Sequence, residues 1–172
     1  MSLTGLVNSD AKVATVGNAT YGNWTGGTTT TKQMSSDVNN LISLTWAASG
    51  YAFVPGKLLL PPAKFSFLVD QDAGVTGYIS VLEWIKRNNT YTAQTGKELD
   101  IQPCKWLTGA GAMSTDRMVA YTNDKMLVRF PMVPLQRTPL EYRGLMQLTT
   151  YFGKLGSVEF VYGESVGYAD GI

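Results

Sequence analysis

The segment Gly109-Ala110-Gly111-Ala112-Met113-Ser114 is where this 172-residue sequence could cradle a phosphate. Glycine-rich loops do so by bringing backbone N–H groups close to the anion, with a third glycine or a Lys-Ser or Lys-Thr ending that opens a helix. None of these follows Ser114, so the expected reading is a flexible loop. Asp70 and Asp72 could share acid–base work or hold calcium, but the other oxygen ligands of a calcium loop and any glycosidase pattern are missing, and a solvated loop is expected. The sequence has no histidine, which removes Ser-His-Asp and Cys-His nucleophile pairs and the commonest metal ligand. The single Cys104 cannot form an internal disulfide or a thiolate zinc site, and its strand-like surroundings suit a half-buried inert thiol in a reducing cytoplasm.

Aromatic side chains are the remaining candidates. Trp24, Trp46, Trp84 and Trp106, with nine tyrosines, could stack on sugars or bases. Trp46 and Trp84 fall on helical stripes and Trp106 on an alternating run, which favours core or subunit-interface packing; only Trp24 lies in an unpatterned segment. The triplets beginning at Asn18, Asn23 and Asn88 match the glycosylation sequon, which matters only in a secreted chain, and no signal core precedes them. Lys86-Arg87 reads as a helix end that faces the negative pole of the dipole. Fourteen Lys and Arg against thirteen Asp and Glu leave no field to gather nucleic acid, and no apolar run approaches the ~20 residues that span a bilayer. No catalytic constellation emerges, and no metal or cofactor is expected.

The elements that must position these residues follow from periodicity. Residues 2–32, rich in Gly, Asn and Thr, read as an extended or irregular lead-in. Ser36 and Asp37 offer a cap and first-turn carboxylate for a helix through Val38, Leu41, Ile42, Thr45 and Trp46, which Gly50 stops. Residues 57–60 read as a buried strand, and Pro61-Pro62 opens a short helix through Val69. Residues 70–77 read as loop. Tyr78, Val81, Leu82 and Ile85 form the stripe of a third helix, ended by Asn88-Asn89. Beyond it, residues 99–107, 117–121, 127–132, 145–152, 157–162 and 166–169 read as strands. Helices early and strands late predict an α+β domain with a mixed β region in the second half. Within residues 117–121, alternation requires either Met118 and Ala120 or Val119 and Tyr121 to face the core.

The order of several segments resembles the C-terminal half of phage and prophage major capsid proteins of the Hong Kong 97 type. Gly5-Leu6-Val7-Asn8 is similar to that family's Gly-Leu-Leu-Asn segment. Residues 37–50 and then Leu58-Leu59-Leu60-Pro61-Pro62 resemble the helix and strand that follow it. Asp116-Arg117-Met118-Val119-Ala120-Tyr121 is the sharpest piece, followed in order by Phe130-Pro131-Met132-Val133-Pro134-Leu135, Gly156-Ser157-Val158-Glu159 and Asp170-Gly171-Ile172. Two positions depart from the pattern, Ser157 where the family has a second Gly and residues 163–165 where a Pro is usual.

The resemblance implies a structural subunit of a capsid shell, not an enzyme, found in the virion and made in the host cytoplasm. Its partners would be further copies of itself or of a longer subunit, with no small-molecule substrate, specific nucleic acid or membrane. The arm, hairpin and spine helix that precede this region in the family do not match here, so the chain would be a truncated or trimmed axial domain that does not close into shells by itself. Residues 36–155 would be the axial-type unit, 156–172 the strand region returning to the peripheral domain, and 1–35 the lead-in. Asp70, Asp72, Gly74 and Gly77, and Gly109, Gly111 and Ser114, would form interface loops toward the capsomer axis. A carbohydrate-binding or tail-associated module and a nanocompartment shell are the alternatives.

Overall fold

The computed structural model describes residues 5–7, 14–16, 23–26, 29–74 and 79–172. Asn8, the triplet at Asn18, Gly77 and Tyr78 lie outside them.

The first long helix, α1 (Thr31–Ala48), begins five residues before the Ser36 expected to cap it. Thr30 and Gln33 form a reciprocal capping box, in which Thr30 Oγ1 accepts from the Gln33 amide and Gln33 Oε1 accepts from the Thr30 amide. A Thr-x-x-Gln box satisfies two orphan N–H groups at once, and it overrides the nearer Ser-Asp pair. Asp37 is therefore a buried mid-helix residue and not a first-turn carboxylate. Gly50 takes the left-handed conformation at φ +64°, the stop its position suggests. Strand β2 (Lys57–Leu60) and helix α2 (Pro62–Asp70), with Pro62 in its first turn, lie where periodicity places them. Helix α3 (Val81–Arg87) ends at Asn88-Asn89, but Asn89 also caps α4 (Thr90–Thr95), a short helix that the sequence reading does not contain. The Asn89 amide nitrogen donates to Ile85 and Lys86 carbonyls while its oxygen accepts from the Thr92 amide, closing one helix and opening the next.

The lead-in is not wholly irregular. It supplies β1 (Ala14–Val16) to a five-stranded sheet that also takes β2, β3 (Asp100–Pro103), β4 (Arg117–Tyr121) and β11 (Val166–Asp170). The spatial order is β1-β11-β4-β2-β3; β1 runs parallel to β11 and β3 parallel to β2, while β4 is antiparallel to both its neighbours. The strand expected over 99–107 ends at Pro103, and Trp106 lies in the 3-10 turn Lys105–Leu107, 69% exposed.

Alternation sorts the core into two layers. Leu58, Leu60, Met118, Ala120 and Ala169 face the helices and pack with Val38, Leu41, Ile42, Leu68, Val81 and Ile85. Val119, Val166 and Tyr168 face the other way, against Leu107, Leu6, Val7 and Phe160. Strand β4 is thus covered on both sides, with Met118, Val119 and Ala120 all buried, where the sequence required only one set to be. Central strands buried on both faces lose the alternation that marks a half-solvated strand.

Gly167 fixes how closely α1 approaches the sheet. A Cβ there would collide with Thr45 Oγ1 and come within 3.1 Å of Leu41. Gly167→Ala is expected to destabilise the fold by about 1–3 kcal/mol, the usual range for overpacking. Thr45→Ala removes the colliding oxygen, so urea denaturation of the double variant should recover part of that loss. Placing Asp at Met118 or at Val119 should each lower Tm sharply, because either carboxylate would be buried without a partner.

Candidate assembly surface

Two features stand apart from the core: a clasp at one end of the sheet, and a long ribbon that leaves it.

The clasp is built on β4 and β11, whose pairing brings Arg117 opposite Asp170. Arg117 Nε and one terminal nitrogen donate to the two Asp170 oxygens at 2.6 and 3.0 Å, a bidentate fork. The other terminal nitrogen donates to the Val7 carbonyl, the guanidinium lies over the Tyr168 ring, and the Tyr168 hydroxyl donates to the Leu6 carbonyl. The Ala112 amide donates to the second Asp170 oxygen. Three of the segments that carry the family resemblance, through residues 5–7, 116–121 and 170–172, therefore meet at one ion pair. Burial alone would push the Asp170 carboxyl up, but hydrogen bonds from Arg117 and Ala112 together with the Arg117 charge outweigh it and hold the group below the ordinary carboxylate range.

The same geometry places the two candidate interface loops. The Gly109 amide donates to Asp116 Oδ1, and the Gly111 amide to the Thr115 carbonyl. A Cβ on Gly111 would meet Thr115 and the Asp170 carboxyl within 3 Å, so this glycine is needed for close packing, not for phosphate. The loop is folded against the sheet end, with Met113 fully exposed and Met113 and Ser114 both at positive φ. In the other loop Asp72 Oδ1 accepts from the Gly74 amide, Gly74 is at φ +68°, and Asp72 pairs with Ser80. Asp70 and Asp72 are exposed. The loops sit at opposite ends of α2. Lys64, in its first turn, reaches Asp116 at 3.9 Å, whereas Asp70 is its last residue, roughly 9 Å along the axis.

Lys64 is itself buried and donates to Asn23 Oδ1 and Thr25 Oγ1. Burial lowers its pKa, opposed by the Asp116 charge. Asn23 and Thr25 are thus structural partners that fasten a 3-10 turn (Trp24–Gly26) to α2. Trp24, left open for stacking by its unpatterned segment, is fully buried with its indole N–H on Asp37 Oδ2. Among the described residues no three His, Cys, Asp or Glu lie together as a metal site, and no helix is long and apolar enough to cross a membrane.

The ribbon runs from Phe130 to Gly156. At its root β5 (Val128–Arg129) pairs with β10 (Glu159–Phe160), and Arg129 and Glu159 form an exposed ion pair. The Gly156 amide donates to the Pro131 carbonyl, and a Cβ on Gly156 would strike the Pro131 ring. Two more resemblance segments, at 130–135 and 156–159, meet here. Beyond the root, β6 (Met132–Arg137) pairs with β9 (Tyr151–Leu155), and β7 (Glu141–Arg143) with β8 (Met146–Leu148), closed by a two-residue turn at Gly144 (φ +63°) and Leu145. The strand expected over 127–132 is broken at Phe130-Pro131 and that over 145–152 at Thr149-Thr150, and β6 and β7 were not expected.

Every residue from 129 to 155 is exposed except the half-buried Thr138 and Thr149. Alternation along β9 puts Tyr151 and Leu155 on one face, Met132 is paired with Leu155, and Leu135 lies across from Gly153, so these four share a face. They are 59%, 67%, 63% and 74% exposed. Such a stripe on a two-stranded ribbon roughly 35 Å long is what a partner would cover, since an isolated hairpin is marginal in water.

The whole chain, residues 1–172, matches the model of the major capsid protein family, and it belongs to that family. No curated protein sequence matches it. Among solved structures it is similar to the capsid of Myoviridae phage XM1, with a TM-score of 0.76 and 15% identity over 100% of this chain and 55% of that one. It is also similar to a virus-like particle from Pyrococcus furiosus, with a TM-score of 0.59 and 10% identity over 93% of this chain and 57% of that one. The chain thus spans little more than half the length of either, and at these identities the likeness is one of fold.

The clasp makes a pH test. A carboxyl whose folded pKa is depressed adds stability above its unfolded value, near 3.9, and that stability is lost as pH falls through the folded value. Thermal melts of the wild type should therefore decline below about pH 4. Asp170→Asn should cost about 3 kcal/mol at pH 7, because Arg117 loses its charged partner, and should show a shallower decline over the same acid range.

Proposed function

We propose that this chain is a structural part of a phage or prophage capsid subunit, corresponding to the axial domain of a Hong Kong 97-type shell protein, and that it assembles with other copies through its ribbon and loops. The carrying observation is the family match over the full chain, and the solvent-exposed apolar ribbon supports it. In this reading residues 36–155 form the axial-type unit, 156–172 lead back toward a peripheral domain and 1–35 lead in. The protein is made in the host cytoplasm and resides in the virion, and its role is mechanical, without a bound cofactor or catalytic step.

A shell subunit needs different faces that meet head to tail around a rotation axis, so its contacts are heterologous. The folded body supplies rigidity, because β4 is clamped between two apolar layers. The ribbon supplies reach. Residues 109–114 and 70–74 present small exposed surfaces at the two ends of α2, which suits contacts with two different neighbours.

Light scattering at increasing protein concentration tests this. The wild type is expected to self-associate, and Leu135→Ser with Leu155→Ser should shift it to monomer while leaving Tm within a few degrees, because both side chains are already exposed. A chain that stays monomeric at high concentration, or a double variant that associates unchanged, would overturn the proposed role of the ribbon.

A further inference from the structure

A groove of about 320 Å³ opens at the C-terminal end of α1, lined by Ala48, Ser49, Ala52, Phe53, Tyr162 and Glu164. Its walls are aromatic, with the Phe53 and Tyr162 rings 5.7 Å apart between centroids. Its electrostatics are negative. An 18-residue helix points its carbonyl end here with no basic residue in its last turn, and Glu164 adds a full charge. An aromatic, negatively polarised groove of this size suits an apolar side chain flanked by a cation.

The ribbon tip has that chemistry. Arg143, Gly144, Leu145 and Met146 form the turn, Leu145 is the most exposed large apolar side chain among the described residues, and Met146 is 76% exposed. The ribbon carries Arg137, Arg143 and Lys154 against Glu141, whereas the rest of the chain holds one more acid than base. We infer that the ribbon tip of one copy seats in the α1 groove of the next, Leu145 against the paired Phe53 and Tyr162 rings and Arg143 facing Glu164 and the helix end. The inference rests on the shell-subunit reading and names the contact that reading requires. Tip and groove lie on the same chain and are different surfaces, so each copy offers one of each. The contact is heterologous and propagates from copy to copy.

Two experiments separate this contact from the broader reading. In a Cys104→Ser background, Leu145→Cys protein is mixed with Ala52→Cys protein under mild oxidation. A disulfide-linked heterodimer is expected, with much less of either homodimer. Separately, Arg143→Glu and Glu164→Arg are each expected to weaken self-association by about tenfold or more, and the double reversal to restore it. All four sites are exposed, so the variants should fold. Self-association that persists without the heterodimer, or that ignores both charge reversals, would overturn the tip-in-groove contact and leave the shell reading standing. Absence of self-association in the unmodified chain would overturn both the tip contact and the ribbon's proposed role in assembly.

Discussion

The antiparallel pair of β4 and β11 is the constraint on which the rest of the structure depends. Among the described residues it holds the beginning, the middle and the end of the chain together: β1 adds to its far side, β2 and β3 to its near side, and α1 lies across it. Two local facts set its geometry. Gly167 lets α1 come down onto β11 at Thr45, and the Arg117–Asp170 fork locks the strand register at the end where residues 5–7 arrive. A bidentate pair specifies direction as well as attraction, since both nitrogens must face both oxygens. A slip of one residue would break the fork and turn Val119 and Met118 to the wrong layers.

Most of this body was legible in the sequence because its elements have strong periods. Strand β4 and strand β2 fall where their apolar runs place them, and α2 and α3 where Pro62 and the Val81–Ile85 spacing do. The differences have identifiable causes. Helix α1 starts early because a capping box outweighs a single Ser-Asp pair, and α4 is missed because six residues rich in Thr carry almost no apolar stripe. Trp24 looked free because its partners, Asp37 and the α1 core, are non-local. Its burial depends on a fold that no local window contains.

The ribbon was illegible for a different reason. Met132, Leu135, Tyr142, Leu145, Tyr151 and Leu155 are the residue types that fill a core, and sequence does not record whether an apolar side chain has been covered by its own chain. Signals that could have placed it lie between the two expected strands: Gly144 at a position for a two-residue hairpin turn, and Pro134 and Pro139 ahead of it. The candidate loops show the converse. Gly109 and Gly111 read as flexible, yet they are tied to Asp116, Thr115 and Asp170, because a glycine marks close approach as often as it marks freedom.

The prolines also bear on how the ribbon can be used. The register shifts between Val133 and Gln136, so Pro134 and Leu135 together face Gly153; past the Thr138–Thr150 hydrogen bond, Pro139 and Leu140 likewise stand against Thr149 alone before Glu141 pairs with Leu148. Both bulges thus contain a residue without an N–H donor, on the same strand. An exposed strand edge is a template for further strands, and interrupted donors with a local twist are what blunt it. One edge of this ribbon is therefore poorly suited to sheet extension, while its faces and its tip carry large uncovered apolar side chains. Association through side chains fixes one geometry, and a heterologous contact whose rotation closes ends in a ring, whereas an open edge goes on adding strands. In the proposed role as a shell subunit the chain has to favour the first over the second, and Pro134 within β6 and Pro139 just beyond it do so on the arm of the ribbon that carries Met132 and Leu135.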